Sequence, residues 1–240
     1  MLFRSQPQPK IPPELIKYLG KTYNAWHIAI PLLESHVVIF PEELRCFDTL
    51  AELYGLLSET DVMFGLLKKR FQSNFTHAGI NLMQYGFWEE AMHIFGEAAV
   101  QSSEGRLREA PREVMLWSEE WCRCAKELNH WEELHNWAEG TGSYALLADA
   151  SWRLPDPDWV ELRHLLQTAK EQFPDRLQYS MLMIYSTFQE NNTALCNTHI
   201  SHAFERCLQR WWQLPEIGVL GQIELLQKFQ QVVEVCESCR

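Results

Sequence analysis

Cys236-x-x-Cys239 has the spacing of half a zinc site or of a redox pair, and His199, His202 and Glu205 recur every three residues, as ligands on one helix face would. A zinc site needs a second such pair or a histidine set. Cys122-x-Cys124 is a poor second half, because two helical residues at that spacing point away from each other. Free cysteines acting as small buried hydrophobes account for these positions. The histidines, including His130 and His135 around Trp131, read as solvated helix faces, and no His-Glu-x-x-His pattern is present. A Gly-rich phosphate loop, a Gly-x-Ser-x-Gly elbow and kinase signatures such as His-Arg-Asp or Asp-Phe-Gly are absent too. Glu89-Glu90, Glu119-Glu120 and Glu132-Glu133 are adjacent pairs, which diverge by about 100° on a helix and cannot jointly grip a reacting atom. The expectation is no catalytic residue, no cofactor-binding residue and no metal ligand.

The elements that carry these residues can be read from composition and spacing. A chain of 240 residues, 46% hydrophobic, with only 11 prolines and 11 glycines, can bury a substantial core and reads as all-α. The net charge of −11 argues against a nucleic-acid surface, which needs clustered Lys and Arg. The local run Lys68-Lys69-Arg70 reads as a solvated last helical turn at the negative end of the dipole. Seven cysteines without a small-domain framework fit reduced thiols. The sequence has no signal-type h-region and no apolar run of about 18 residues, which fits an intracellular, soluble chain with no membrane role.

The organising stretch is Gln84 to Ala98. Ala91-x-x-x-Phe95-x-x-Ala98 forms a small-large-small stripe at helical spacing, and Trp88-Glu89-Glu90 opens the helix with an anchor and two carboxylates. Related openings occur at Trp131-Glu132-Glu133-Leu134 and Trp159-Val160-Glu161-Leu162, with a weaker one at Met63-Phe64-Gly65-Leu66. The tryptophan spacings of 43 and 28 straddle the roughly 34 residues of a tetratricopeptide unit. The prediction is degenerate tetratricopeptide-like helical hairpin repeats stacked as an α-solenoid, in which neighbours bury one another's apolar faces.

In chain order, residues 1–13 read as a flexible, Pro-rich lead-in and residues 14–240 as one helical repeat domain. A helix over 14–35 is expected to break or kink at Gly20 and Pro31, and Val37-Val38-Ile39-Phe40 reads as an extended connector before Pro41. The next helices run over 42–57 and to about Arg70, with Ser58 and Thr60-Asp61 as capping residues of the second, then over 73–85 with Gly86 as a left-handed stop. After a charged loop at 102–111, Pro111 starts a helix to Leu128, and Asn129-His130 turns into Trp131–Glu139. Gly140-Thr141-Gly142 breaks the chain, and Ser143 caps a helix through Arg153. Pro155 to Asp158 turns into the third hairpin, ending near Phe173-Pro174. Helices over 175–189, 193–214 and 216–236 complete the chain. Most of the ten tryptophans read as packing anchors; in Trp211-Trp212 one ring must leave the core and is a partner-contact candidate.

Four stretches carry a resemblance: Tyr18-Leu19-Gly20-Lys21-Thr22-Tyr23-Asn24-Ala25-Trp26, Leu50-Ala51-Glu52-Leu53-Tyr54-Gly55-Leu56-Leu57, Gln84-Tyr85-Gly86-Phe87, and Trp121-x-x-Cys124-Ala125-Lys126-Glu127-Leu128-Asn129-x-Trp131-Glu132. In this order, from about Ile11 to Trp212, the chain resembles the FAT region of the pseudokinase branch of the phosphatidylinositol-3-kinase-related kinases, the transformation/transcription domain-associated family. Met63 stands where the family pattern has tryptophan. The resemblance implies a partial FAT region within a much larger chain of HEAT and tetratricopeptide-like repeats with a kinase-like domain beyond it. It implies a nuclear scaffold in histone acetyltransferase coactivator complexes such as SAGA, with other subunits and transcription activators as partners, and no catalytic positions.

Two other readings stand beside it. A self-standing tetratricopeptide-type module would bind a peptide terminus through clustered Lys, Arg and Asn, which this chain does not repeat. A metal protein would be built on Cys236, Cys239, His199 and His202.

Overall fold

The computed structural model describes residues 10–173, 175–216 and 218–239; most of the expected Pro-rich lead-in, residues 1–9, lies outside them, as do Pro174 and Ile217. Among the described residues every long regular element is a helix: α1 (Pro13–Thr22), α2 (Trp26–Ile39), α3 (Leu44–Leu57), α4 (Thr60–Arg70), α5 (Asn74–Gln84), α6 (Trp88–Ser103), α7 (Pro111–Glu127), α8 (Trp131–Thr141), α9 (Tyr144–Ser151), α10 (Trp159–Thr168), α11 (Arg176–Gln189), α12 (Thr193–Gln213) and α13 (Val219–Ser238), with a 3-10 turn at Lys170–Gln172. The all-α expectation therefore holds. Two compact units emerge, Met1–Arg70 with Glu205–Gln231, and Phe71–Phe204 with Val232–Arg240.

One turn recurs through both units. Asn24, Ser58, Gly86, Asn129, Gly142 and Asn191 each adopt a positive φ at the end of a helix. The N–H of the next residue then reaches back five positions, as from Ala25 to Gly20, Glu59 to Tyr54, Phe87 to Leu82, His130 to Ala125, Ser143 to Ala138 and Asn192 to Thr187. The residue after that starts the following helix: Trp26, Thr60, Trp88, Trp131, Tyr144 and Thr193. Gly86 is the left-handed stop the sequence marked, and Asn129 falls in the Asn129-His130 turn it expected. Ser58 ends α3 in the left-handed conformation instead of capping α4. Trp159 enters differently, behind Asp158, whose carboxylate accepts from the Val160 and Glu161 N–H groups.

In the first unit the sequence reading of residues 14–40 needs correction. The chain breaks at Asn24, and Gly20 serves packing, since a Cβ there would lie 2.6 Å from the Ala29 Cβ. Pro31 sits inside α2, and Val37 to Ile39 continue that helix instead of extending. Burial explains it: Leu33, His36 and Val37 lie in the core, which outweighs the one hydrogen bond a proline near the helix start forfeits. Trp26, also buried, donates from Nε1 to the Gln213 carbonyl at 2.8 Å. Gly221 of α13 meets the Leu56 carbonyl so closely that a Cβ would come within 2.8 Å.

In the second unit α6 packs against both α5 and α7, and α8 against α9. Pro111 occupies the first turn of α7, as expected. Gly140 stays within α8, which stops at Gly142, and α9 ends at Ser151. Ala148, Leu162, Leu166, Ala169, Phe173 and Leu182 form a buried cluster, with Trp152 and Trp159 packed against it.

Candidate functional site

The residues with chemical potential are dispersed. Among the described residues no group of three or more His, Cys, Asp or Glu converges as metal ligands would. The rings of His199 and His202 are 6.4 Å apart on α12, and burial, helped by the neighbouring charges of His202 and Lys170, lowers the His199 pKa. Cys122 and Cys124 are buried, and burial pushes their thiols up to about 11 and about 12. Cys239 finds its sulfur neighbour outside the CxxC motif, in Cys196 of α12, with Sγ atoms 3.5 Å apart.

The stretch Gln84 to Ala98 is a packing joint. Ala91, Phe95 and Ala98 are fully buried, while Trp88 at the helix start is half-buried. The Phe95 ring lies on Gly79 of α5, where a Cβ would fall 2.4 Å from Cζ. Gly96, on the other flank, faces the Trp121 indole, where a Cβ would still be in ordinary contact at 3.5 Å. Every small residue of the stripe is thus spent on contact within the protein.

A buried polar network, unmarked in the sequence, locks α5 to α7. Trp117 Nε1 donates to Thr76 Oγ1 at 2.7 Å, and that hydroxyl donates to Glu113 Oε1 at 2.5 Å. The same carboxylate oxygen receives the Ser73 N–H at 3.3 Å, at the start of α5. Trp117, Thr76 and Glu113 are all buried. A carboxylate of one helix thereby satisfies the N-terminus of another, where the helix dipole favours negative charge.

A second cluster joins α7, α8, α9 and α11. Arg153 lies over the ring of Trp131 at 4.4 Å and of Trp152 at 4.5 Å, and Trp152 stacks on Tyr185 at 4.9 Å. Arg153 also pairs with buried Asp149, which accepts from Lys126 Nζ at 2.9 Å. Burial alone would raise the Asp149 pKa; Lys126 and Arg153 overcome it and hold the carboxyl below the usual range. Glu120 is the opposite case. Burial raises its pKa, and Arg123, with Nη1 3.0 Å from Oε2 but out of hydrogen-bond alignment, offsets this only in part.

The basic run is less solvated than the sequence implied. Arg70 is mostly buried, 2.5 Å from Asp48 and over the ring of Phe47 at 5.8 Å, while Lys69 is exposed. Apolar surface remains on the first unit. Trp212 is 77% exposed and Trp211 39%, so the expected outward ring of that pair is Trp212. Leu208 and Leu226 line one apolar groove with Trp211, and Leu220 and Ile223 of α13 are exposed as well. No helix among the described residues is long and apolar enough to cross a membrane.

Comparison with known proteins agrees with this architecture. Residues 144–240, from the start of α9, match the FAT domain. The chain is 29% identical over 97% of its length to the probable transcription-associated protein 1 of Dictyostelium discoideum, covering 5% of that protein. It is 30% identical over 95% of its length to the SAGA complex/NuA4 acetyltransferase complex subunit TRA1 of Saccharomyces cerevisiae, covering 6%, and 28% identical over 98% to the transformation/transcription domain-associated protein of Homo sapiens, covering 7%. The chain therefore spans only a small part of the length of these relatives. With a match to the FAT domain at residues 144–240 and this likeness along nearly all of its sequence, the chain is similar to one segment of the transformation/transcription domain-associated proteins.

Proposed function

We propose that this chain is a non-catalytic helical scaffold segment of a transcription coactivator subunit, acting in histone acetyltransferase complexes of the SAGA type through protein-protein contacts. The observation that carries the reading is the similarity over 95% of the chain to a protein named as a SAGA and NuA4 complex subunit. The internal chemistry supports it: Glu113, Asp149 and Arg153, the polar groups with the most potential, are engaged in holding helices together. On this reading residues 14–240 form a partial FAT-type region of tetratricopeptide-like repeats. Its partners are other complex subunits, transcription activators and the kinase-like and HEAT-repeat parts of a larger chain, in the nucleus, without direct contact to nucleic acid or membrane.

Cross-linking of a purified acetyltransferase complex containing this chain, with mass-spectrometric mapping, tests the reading. Cross-links from lysines such as Lys10, Lys69 or Lys228 to other subunits are expected. A chain that sediments alone from nuclear extract, or that shows a phosphotransfer activity abolished by one point substitution, would overturn it.

A further inference from the structure

The motif Cys236-x-x-Cys239 has a role that its own spacing conceals. Cys239 comes directly after the last residue of α13, with its N–H still bonded to the Val235 carbonyl at 3.0 Å. Its sulfur lies 3.5 Å from that of Cys196, 43 residues earlier near the start of α12. Cys196 is fully buried, with Sγ also 3.9 Å from the Ile184 carbonyl, whereas Cys239 is partly exposed. A disulfide needs the sulfurs to close to about 2.05 Å, a movement of the order of 1.5 Å that a side-chain rotation at a helix end can supply.

We propose that Cys196 and Cys239 form an oxidisable pair, a modification site at which a hydroperoxide converts two thiols into a disulfide that ties the end of α13 to α12. The reaction is ordered by exposure. The Cys239 sulfur attacks a peroxide oxygen; an S–O bond forms, the O–O bond breaks, and the departing hydroxide takes the thiol proton as water. The Cys196 sulfur then attacks the Cys239 sulfur, the S–S bond forms, and the sulfenic oxygen leaves as a second water carrying the Cys196 proton. Two electrons pass from the two sulfurs to the peroxide. Burial and the contact with Cys239 push the Cys196 thiol up to about 11, which makes it a poor first nucleophile and leaves it as the resolving partner. Cys236, one turn before Cys239, is the rival partner.

Trypsin separates the alternatives, because Cys196 falls in the fragment 177–206 and both Cys236 and Cys239 fall in 229–240. The full chain is treated with stoichiometric hydrogen peroxide, alkylated under denaturing conditions and mapped without reduction. The expected result is a linked pair of these two fragments, loss of two of the seven titratable thiols, and reversal by dithiothreitol. Cys239→Ser abolishes the link and Cys236→Ser retains it, and the oxidised wild type melts at a higher temperature than the reduced form. A disulfide internal to 229–240, a link that survives Cys239→Ser, or seven thiols remaining after treatment would overturn the proposal.

Discussion

The ring of Phe95 in α6 lies directly on the α-carbon of Gly79 in α5, closer than any side chain at residue 79 would permit. The contact sets how near these helices approach, and the buried Ala91 and Ala98 on either side of Phe95 keep the same face shallow. Gly79→Ala is expected to cost about 1–3 kcal/mol by overpacking, even though alanine is the better helix former, and Ala91→Trp at least as much. Thermal or urea denaturation checks both. A Gly79→Ala protein as stable as wild type would show that the helices separate without penalty.

Thr76 is the relay through which Trp117 and Glu113 are both satisfied. Thr76→Val keeps the volume and removes the hydroxyl, leaving the buried indole N–H without its acceptor and the carboxylate with one donor fewer. The expected loss is roughly 1–3 kcal/mol, and Thr76→Ser should recover most of it. Equal denaturation midpoints for the valine and serine proteins would contradict the network.

Glu120 gives a pH-dependent handle. Its folded pKa is raised, so above the ordinary carboxyl value of 4.5 the unfolded chain has released a proton that the folded chain still holds. Stability is therefore lost as pH rises through this window. Glu120→Gln removes the term and should raise Tm at pH 7 by some 2–4 °C, corresponding to about 1 kcal/mol. The advantage should vanish near pH 4, which paired melts across pH 4–8 would show.

Asp149 has the opposite sign. Its lowered pKa contributes stability that is present above the ordinary aspartate value of 3.8 and is lost as pH falls through the folded pKa. Asp149→Ala leaves Lys126 and Arg153 without their carboxylate and is expected to cost roughly 2–3 kcal/mol at neutral pH. Asp149→Asn should flatten the acid limb of the stability profile, measured by urea titration at several pH values.

Local signals were readable where they are made of neighbouring residues. Pro111 at a helix start, Gly86 as a left-handed stop, the turn at Asn129-His130 and the small-large-small stripe of α6 arise from conformational preferences that need no tertiary partner. The failures share a cause. Val37 to Ile39 read as extended because β-branched residues stand beside Pro41, yet the helix that buries Leu33, His36 and Val37 on one face continues through them, with Val38 and Ile39 exposed. Gly20 read as a breaker because nothing in its own vicinity announces Ala29. The Trp117, Thr76 and Glu113 network joins residues 37 and 41 positions apart, and the Arg70 pair with Asp48 spans 22. Spacing along one helix carries no trace of either.

The recurring turn has a consequence for how this chain tolerates change in length. Where only two or three residues, one of them left-handed, separate two helices, an added residue would rotate the second helix by about 100° and present a polar face to the core. Insertions, tags or fluorescent reporters are therefore excluded from Asn24, Ser58, Gly86, Asn129, Gly142 and Asn191. They belong in the connection at 104–110, which joins α6 to α7 through enough chain to absorb an added residue without turning α7.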